Sequence, residues 1–234
     1  MMDAANARAV LYRNVREFFL SQNITEVEES LLPFNSSIDQ LSAFHIGQQC
    51  SDETIDRRHL THFSVLQWHQ PDCSKDHVLS NVDQLLSAIF SGEFEPERRT
   101  FRQAFVQRLG FDPDELSAAD LRQETRRLGL NISLGEDRLA WLKLMFVHFI
   151  EPTLGIDIPL YLTELPNQWR DTKNDNWIEV KSDVDIFIDG IKVGSVLTSA
   201  PVDVGLQQYI VLGLDRLLMI VLETRQIQKV ASIV

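Results

Sequence analysis

Cysteine, positive charge and long apolar runs are all scarce in this sequence. Only two of its 234 residues are cysteine, Cys50 and Cys73. So few cysteines suit a reducing compartment and argue against a disulfide framework. The first residues lack the apolar run of a signal peptide, and no stretch reaches the roughly 18 consecutive apolar residues of a membrane span. These absences predict a cytoplasmic protein that does not cross a membrane.

The charge balance is strongly acidic. The chain carries 22 lysines and arginines against 34 aspartates and glutamates, which gives a net charge of −12. A general nucleic-acid-binding surface would be basic, so the composition argues against tRNA as a partner. Hydrophobic residues make up 44% of the chain, enough to bury a full core. Without internal repeats or low-complexity tracts, residues 1–234 are expected to form a single domain.

A pair of alternating arms within residues 43–69 is the clearest pattern in the sequence. The apolar positions of these arms are Phe44, Ile46, Phe63, Val65 and Trp68. Arms with a period of two, joined by a polar and charged loop, predict an antiparallel hairpin. One face of such a hairpin packs on a core, whereas the other can present polar side chains to a ligand.

Helical and strand patterns alternate along the rest of the chain. An apolar stripe predicts an amphipathic helix over 6–21, and residues 23–28 alternate like a strand. Further helices are predicted at 76–90, 100–109, 117–128 and 136–149. Further strands are predicted at 159–163, 183–188 and 191–197, and a strand followed by a helix at 209–219. The Asp189-Gly190 pair is a strong signal for a hairpin turn. This order of elements predicts an α+β fold.

The first hairpin resembles motif 2 of the class II aminoacyl-tRNA synthetases. It reads Phe44-His45-Ile46, then Cys50-Ser51-Asp52-Glu53, then the arm from His59 to His69. The resemblance is greatest to the lysyl-tRNA synthetase branch and, within it, to the short paralogues that ligate lysine to elongation factor P. It implies a mixed, mainly antiparallel sheet flanked by helices, with a helical insert at about 76–150 and no anticodon-binding domain.

Two further stretches resemble motifs of the same family. Residues 209–219, with Gly213, Asp215 and Arg216, resemble motif 3. Residues 8–30 resemble motif 1, which forms the dimer interface in class II synthetases, and this implies a homodimer. An ordinary helix–strand unit is the alternative for that segment.

The family positions that handle Mg²⁺ and the phosphates of ATP are changed here. By alignment, the motif 2 arginine is Ser51, and the two metal-binding glutamates are Lys192 and Ser199. A lysine repels Mg²⁺ and a serine is a poor sole ligand, so Mg²⁺ is not expected and no catalytic residue is assigned. A zinc site is not expected either, because alternating strand positions make His59 and His62 diverge.

The adenine half of the site is better preserved. The resemblance implies that Phe63 and Arg216 sandwich the adenine ring, a cation–π arrangement. It also implies that Glu53 reads the adenine edge and that His59 lies near the phosphates. ATP or AMP are therefore the candidate ligands. The alternative is structural: Phe63 in the core, Arg216 in an ion pair and Glu53 as a loop charge.

The amino-acid pocket is altered as well. The resemblance places Gln67 and Trp68 there, with Gln67 in place of a glutamate that faces the lysine substrate. An uncharged amide holds a cationic side chain less well than a carboxylate does. Together, these changes predict a non-catalytic or regulatory protein that binds a nucleotide or an amino-acid derivative. A protein partner is a further candidate ligand. The alternative is an active ligase or transferase, dependent on ATP or on an aminoacyl donor, in which Lys192 replaces the charge of the metal.

Overall fold

The computed structural model describes residues 3–31, 41–50, 60–71, 73–166, 181–199 and 207–230, without the side chains of residues 181, 182 and 199. The helices are α1 (Ala4–Ser21), α2 (Lys75–Phe90), α3 (Phe101–Leu109), α4 (Ala118–Arg127), α5 (Arg138–Met145) and α6 (Leu214–Val221). The strands are β1 (Thr25–Glu26), β2 (Ala43–Cys50), β3 (His62–His69), β4 (Glu97–Thr100), β5 (Leu160–Thr163), β6 (Lys181–Ile188), β7 (Ile191–Ser199) and β8 (Gln207–Gly213). Within these ranges, no helix is long and apolar enough to span a membrane.

The strands form one eight-stranded sheet in the order β1-β2-β3-β8-β7-β6-β5-β4. The outer pairs β1–β2 and β4–β5 are parallel, and the five pairs between them are antiparallel. The predicted α+β class with a mixed, mainly antiparallel sheet is therefore confirmed. Strands β2, β3, β8 and β7 lie side by side, so the stretches that resemble motifs 2 and 3 lie on adjacent strands.

One face of this sheet packs against helices. Paired residues of neighbouring strands share a face, so Trp68 lies with Phe44, its partner in the register. Phe19 of α1 stacks on Phe44 at 4.4 Å between ring centroids and meets Trp68 edge to face at 4.8 Å. Helix α1 buries one residue per turn there, which confirms its predicted stripe; these residues are Ala7, Leu11, Val15 and Phe19. The side chain of Asp3 begins the helix by accepting from the Asn6 N–H at 2.8 Å.

The second arm of the first hairpin corrects the sequence prediction. Leu66 and Trp68 lie on the helix-packed face, whereas Phe63 and Val65 lie on the opposite face. The predicted set of Phe63, Val65 and Trp68 therefore does not share one face. The reason is that β3 is buried on both sides from residue 64 onward, so the polarity of its residues does not alternate with the pleat.

The helical insert has a core of its own against the far end of the sheet. Phe101 stacks on Phe146 at 5.7 Å, and Phe146 meets Phe187 of β6 at 6.1 Å. Capping boxes begin α3 at Thr100 and α4 at Ser117. The predicted fourth helix ends earlier than expected, because α5 gives way to a π-helical turn at Phe146–Ile150. Strand β4 was not predicted, and β1 is shorter than the alternating stretch suggested.

Candidate functional site

A cavity of about 290 Å³ lies between strands β3, β7 and β8 and the first turn of α6. Its volume is at the lower end of the range of about 300–1,000 Å³ that is usual for ligand pockets. Its walls include Phe63 and Val65 from β3, and Val211 from β8. Two cationic side chains, Lys192 and Arg216, reach the same cavity. The combination of an apolar wall with two cations is suited to a ligand that has an aromatic and an anionic part.

Lys192, which lines this cavity, forms an ion pair with the buried Asp185 behind it. The Nζ of Lys192 lies 2.8 Å from Oδ1 of Asp185, and the hydroxyl of Ser195 donates to the same oxygen at 2.7 Å. The Asp185 side chain is only 3% exposed, whereas Lys192 is 37% exposed. The carboxylate thus fixes the ammonium at the cavity wall. In the part of the chain that the structure describes, including this cavity, no group of three or more His, Cys, Asp or Glu side chains converges as metal ligands do.

The two predicted adenine-binding residues that the structure describes reach one cavity. Phe63 is partly buried on β3, and Arg216 lies in the first turn of α6, where its Nη1 donates to the Lys192 carbonyl at 2.9 Å. Their role as an adenine clamp stays a prediction. Glu53 and His59 lie outside the described residues, as do Ser51 and the side chain of Ser199.

A second buried ion pair holds the helix that carries Arg216. Asp215 accepts from Arg8 of α1 at 2.6 Å and from the backbone N–H of Ser64 at 2.6 Å. Burial alone would lower the pKa of Arg8, but the hydrogen bond and the charge of Asp215 outweigh that effect and raise it. Asp215 therefore fixes the start of α6 against β3 and α1, which sets where Arg216 enters the cavity.

The predicted amino-acid pocket is not assembled as the sequence suggested. Gln67 is 1% exposed, and its Oε1 accepts from the Leu31 N–H at 2.7 Å and from the Ser30 hydroxyl at 2.8 Å. Trp68 lies on the other face of β3, inside the core beside Phe18 and Phe19. Successive strand residues point to opposite faces, so these two neighbours cannot line one pocket. The assignment of Trp68 to a pocket shared with Gln67 is therefore corrected.

The polar side chains near Gln67 on this face of β3 also contact other residues of the chain. His69 lies two residues further along the same face, with its Nε2 at 2.8 Å from Oε1 of Gln207 and its Nδ1 at 3.3 Å from the Leu41 carbonyl. Its ring stacks on Tyr209 at 4.4 Å between centroids. Sequence reasoning missed these contacts, as it missed Asp185 and Ser195. The available signal was the acid itself, because Asp185 stands between Val184 and Ile186 in an otherwise apolar stretch.

The chain is similar to curated proteins named elongation factor P–(R)-β-lysine ligase. The relative from Yersinia enterocolitica is 32% identical over 127 residues, which are 53% of this chain and 39% of that protein. Those from Pectobacterium atrosepticum and Yersinia pestis are 30% and 31% identical over 125 residues, 53% of this chain and 38% of theirs. No family model matches the chain. The matched segment thus spans less than two-fifths of the length of these relatives. The predicted resemblance is confirmed over about half of the chain. The chain is therefore a partial and distant match to this class II synthetase-like ligase group.

Proposed function

We propose that this chain binds an adenine nucleotide, or a related amino-acid derivative, in the cavity beside Lys192 and Arg216 and does not activate an amino acid with Mg·ATP. The observation that carries the proposal is the ion pair between Lys192 and Asp185, at 2.8 Å. It puts an ammonium where the resemblance implies a magnesium-binding glutamate. On this proposal the protein acts by binding, in a regulatory role.

The donor set at this position does not fit Mg²⁺. A hard divalent cation needs several oxygen ligands, which are usually carboxylates and waters. Among the described residues, the buried carboxylates at hand are those of Asp185 and Asp215. Oδ1 of Asp185 already accepts from an ammonium and from the hydroxyl of Ser195, and Asp215 accepts from Arg8 and from the Ser64 N–H. A divalent cation would have to displace Lys192 or approach it against its charge. We therefore derive no chemical step through Mg²⁺.

The lining of the cavity supports binding of the nucleoside end of an adenine nucleotide with one anionic group. Phe63 contributes an aromatic ring, and the Arg216 guanidinium contributes both a flat cation and hydrogen-bond donors. Lys192 adds a second cation on the same wall. A cation–π contact contributes only about 0.5–2 kcal/mol, so we expect dissociation constants of roughly tens of micromolar to millimolar.

An active ligase or transferase is the second candidate. Two cations side by side, Lys192 and Arg216, could stabilise negative charge that develops on a phosphate or on an activated aminoacyl donor. The relatives are named as ligases of (R)-β-lysine and elongation factor P. This alternative requires chemistry in which the ammonium of Lys192 takes over the charge of the metal.

Calorimetry with AMP and ATP, with and without Mg²⁺, tests the proposal on the wild type and Arg216→Ala. We expect AMP and ATP to bind within a few-fold of each other, without an effect of Mg²⁺, and Arg216→Ala to weaken both about three- to thirtyfold. Arg225→Ala is the matched control, because Arg225 is an exposed arginine paired with Asp189 at 2.7 Å. Mg²⁺-dependent ATP binding far tighter than AMP binding, together with amino-acid-dependent pyrophosphate exchange, would establish the ligase instead. No binding of either nucleotide would overturn nucleotide binding and the ATP-dependent ligase together, and would leave the transferase that uses an activated aminoacyl donor.

A further inference from the structure

We infer that the site accepts an adenine mononucleotide but not an aminoacyl adenylate, because residues 30–31 of the chain itself occupy the amino-acid half. The inference rests on the proposed nucleotide binding and adds a selectivity to it. The amino-acid half is here the patch around Gln67 on the face of the sheet opposite α1.

The segment after β1 has a defined route to this patch. Strand β1 runs parallel to β2, with Glu26 opposite Phe44, and the Val27 N–H donates to the Phe44 carbonyl at 2.8 Å. The Val27 carbonyl then lies 3.0 Å from Nδ1 of His45. His45 is paired with Gln67 in the register, so its side chain lies on the same face as Gln67. The chain therefore passes over the edge of the sheet onto the face opposite α1.

The contacts at Gln67 use its acceptor capacity in full. An amide oxygen has two lone pairs, and the Gln67 Oε1 accepts from both the Leu31 N–H and the Ser30 hydroxyl. Leu31 is 2% exposed, so its side chain is buried as well. A substrate group could reach this oxygen only by displacing two hydrogen bonds and a buried leucine.

The identity of residue 67 agrees with this occupancy. A buried carboxylate requires a cation. The resemblance implies a glutamate at position 67 in the related enzymes, and there the lysine substrate supplies that cation. The oxygen of a buried amide is satisfied by neutral donors, such as a backbone N–H and a hydroxyl. Residues 30–31 thus occupy the Gln67 oxygen without any ligand.

The closed patch extends away from the cavity. His69, Gln207, Tyr209 and the Leu41 carbonyl pack against one another directly beside Gln67. Phe63 and Val65, by contrast, line the cavity on the same face and the same strand. The boundary between the open and the filled half therefore falls between residues 65 and 67 of β3. A ligand with an aminoacyl group attached to its phosphate would have to cross this boundary.

The direct test compares AMP with lysyl-sulfamoyl-adenosine, a stable mimic of lysyl adenylate, by calorimetry on the wild type. We expect the mimic to bind at least about tenfold more weakly than AMP, because its aminoacyl group has no room. A mimic that binds as tightly as AMP or more tightly, while AMP still binds, would overturn this inference and leave nucleotide binding intact. If neither compound binds, the nucleotide-binding function itself fails, and the inference fails with it.

Leu31→Ala provides a second test, since it removes the covering side chain but keeps the backbone donor. We expect the affinity for the mimic, relative to the affinity for AMP, to be at least about tenfold higher in this variant than in the wild type. Ile132→Ala is the matched control, because Ile132 is 39% exposed in the helical insert. Equal preference for the mimic in the wild type and Leu31→Ala would contradict a blocking role. Amide hydrogen exchange on the wild type does not depend on whether a variant folds. The Leu31 N–H should exchange slowly in the protein without ligand, and rapid exchange there would overturn the inference.

Discussion

Arg8 and Asp215 form a 2.6 Å ion pair that joins the first helix of the chain to the helix carrying Arg216. The same carboxylate also accepts from the Ser64 N–H at 2.6 Å, so two helices and strand β3 meet at one acid. Arg8 also donates to the Val230 carbonyl, which brings the last described turn to the same point. The geometry of the cavity thus depends on a residue far from it in the sequence.

We expect Arg8→Ala to lower the free energy of unfolding by about 3–5 kcal/mol, because it leaves a buried carboxylate without its cation. The Asp215 side chain is 4% exposed, so water can solvate its carboxylate only poorly once the guanidinium is removed. Urea unfolding at neutral pH measures the change. Arg13→Ala is the control, since Arg13 is 64% exposed and 3.8 Å from Glu17; it should cost less than about 1 kcal/mol. Equal losses in the two variants would contradict a structural role for the buried pair.

A second buried contact, between Tyr161 of β5 and Asp83 of α2, predicts a pH dependence. Burial raises the pKa of Asp83 above its ordinary 3.8, and the hydrogen bond from the Tyr161 hydroxyl opposes this rise in part. A raised folded-state pKa means that the stability contributed by Asp83 is complete below the unfolded-state pKa. It is lost as the pH rises through the folded-state pKa. Asp83→Asn removes the charge and keeps an acceptor, so the stability of the wild type relative to this variant should fall as the pH rises from about 3.5 to 7.

Tyr161→Phe separates the hydrogen bond from the burial of Asp83. Without the hydroxyl the pKa of Asp83 should rise further, so the loss of stability with rising pH should be steeper than in the wild type. At neutral pH the variant should be less stable by about 1 kcal/mol. Urea unfolding at a series of pH values measures both effects. Parallel pH profiles for the wild type, Asp83→Asn and Tyr161→Phe would show that the contact carries no linkage.

The sequence predicted those features that depend on local pattern. Helices α1 and α2 begin and end within two residues of the predicted bounds, because their caps and apolar stripes are local signals. Strand β4 was missed because Glu97–Thr100 is polar and is recognised only by its pairing with β5. The contact of Leu31 with Gln67 joins the segment after β1 to strand β3, and no periodicity in either segment predicts it.

The second hairpin shows why the details of a site need coordinates. The tight turn pairs Ile188 with Ile191, and an unbroken register would place Gly194 opposite Asp185. An irregularity between Ile186 and Phe187 shifts the pairing, so Ser195 lies opposite Asp185 and donates to it. Phe63 and Arg216 were named from a family pattern and do reach one cavity, whereas the contacts of Asp185 depend on this shift.

Gly155 packs where a side chain has no room. Its φ is +68°, and a β-carbon there would lie 2.3 Å from the carbonyl oxygen of Phe187. We expect Gly155→Ala to lower the free energy of unfolding by about 2–4 kcal/mol, from the left-handed backbone and the steric clash together. Gly129→Ala controls for the backbone alone, because Gly129 has a φ of +91° with open space around it. It should cost only about 1–2 kcal/mol in thermal or urea unfolding. Equal costs would mean that the loop around Gly155 moves away from β6.

The predicted homodimer through residues 8–30 can be tested at Leu20. This leucine is 75% exposed at the end of α1, and interface cores are enriched in apolar side chains. Sedimentation velocity at micromolar concentration should give a dimer for the wild type, and Leu20→Glu should shift it towards monomer. Ile132→Glu, at a 39% exposed position in the helical insert, should leave the dimer intact. A wild-type monomer at this concentration would contradict the prediction.

Lys192→Glu restores the residue that the resemblance implies at this position and gives the sharpest test of the lost magnesium site. The new carboxylate would lie close to Asp185, whose oxygen is now 2.8 Å from the ammonium, and two neighbouring carboxylates repel each other. We expect the variant to melt at a lower temperature than the wild type in a chelator. Millimolar Mg²⁺ should restore part of that loss, because carboxylate oxygens are the ligands it prefers.

Lys192→Met separates the loss of the ammonium from the gain of a carboxylate. It removes the cation from Asp185 without adding a ligand, so its melting temperature should fall and should not respond to Mg²⁺. The wild type should not respond either, because the ammonium holds the position that the metal would need. Thermal unfolding of the three proteins with EDTA and with Mg²⁺ gives the comparison. If Mg²⁺ stabilises the wild type as much as Lys192→Glu, the cavity binds the cation without residue 192, and Mg·ATP chemistry returns as the leading function.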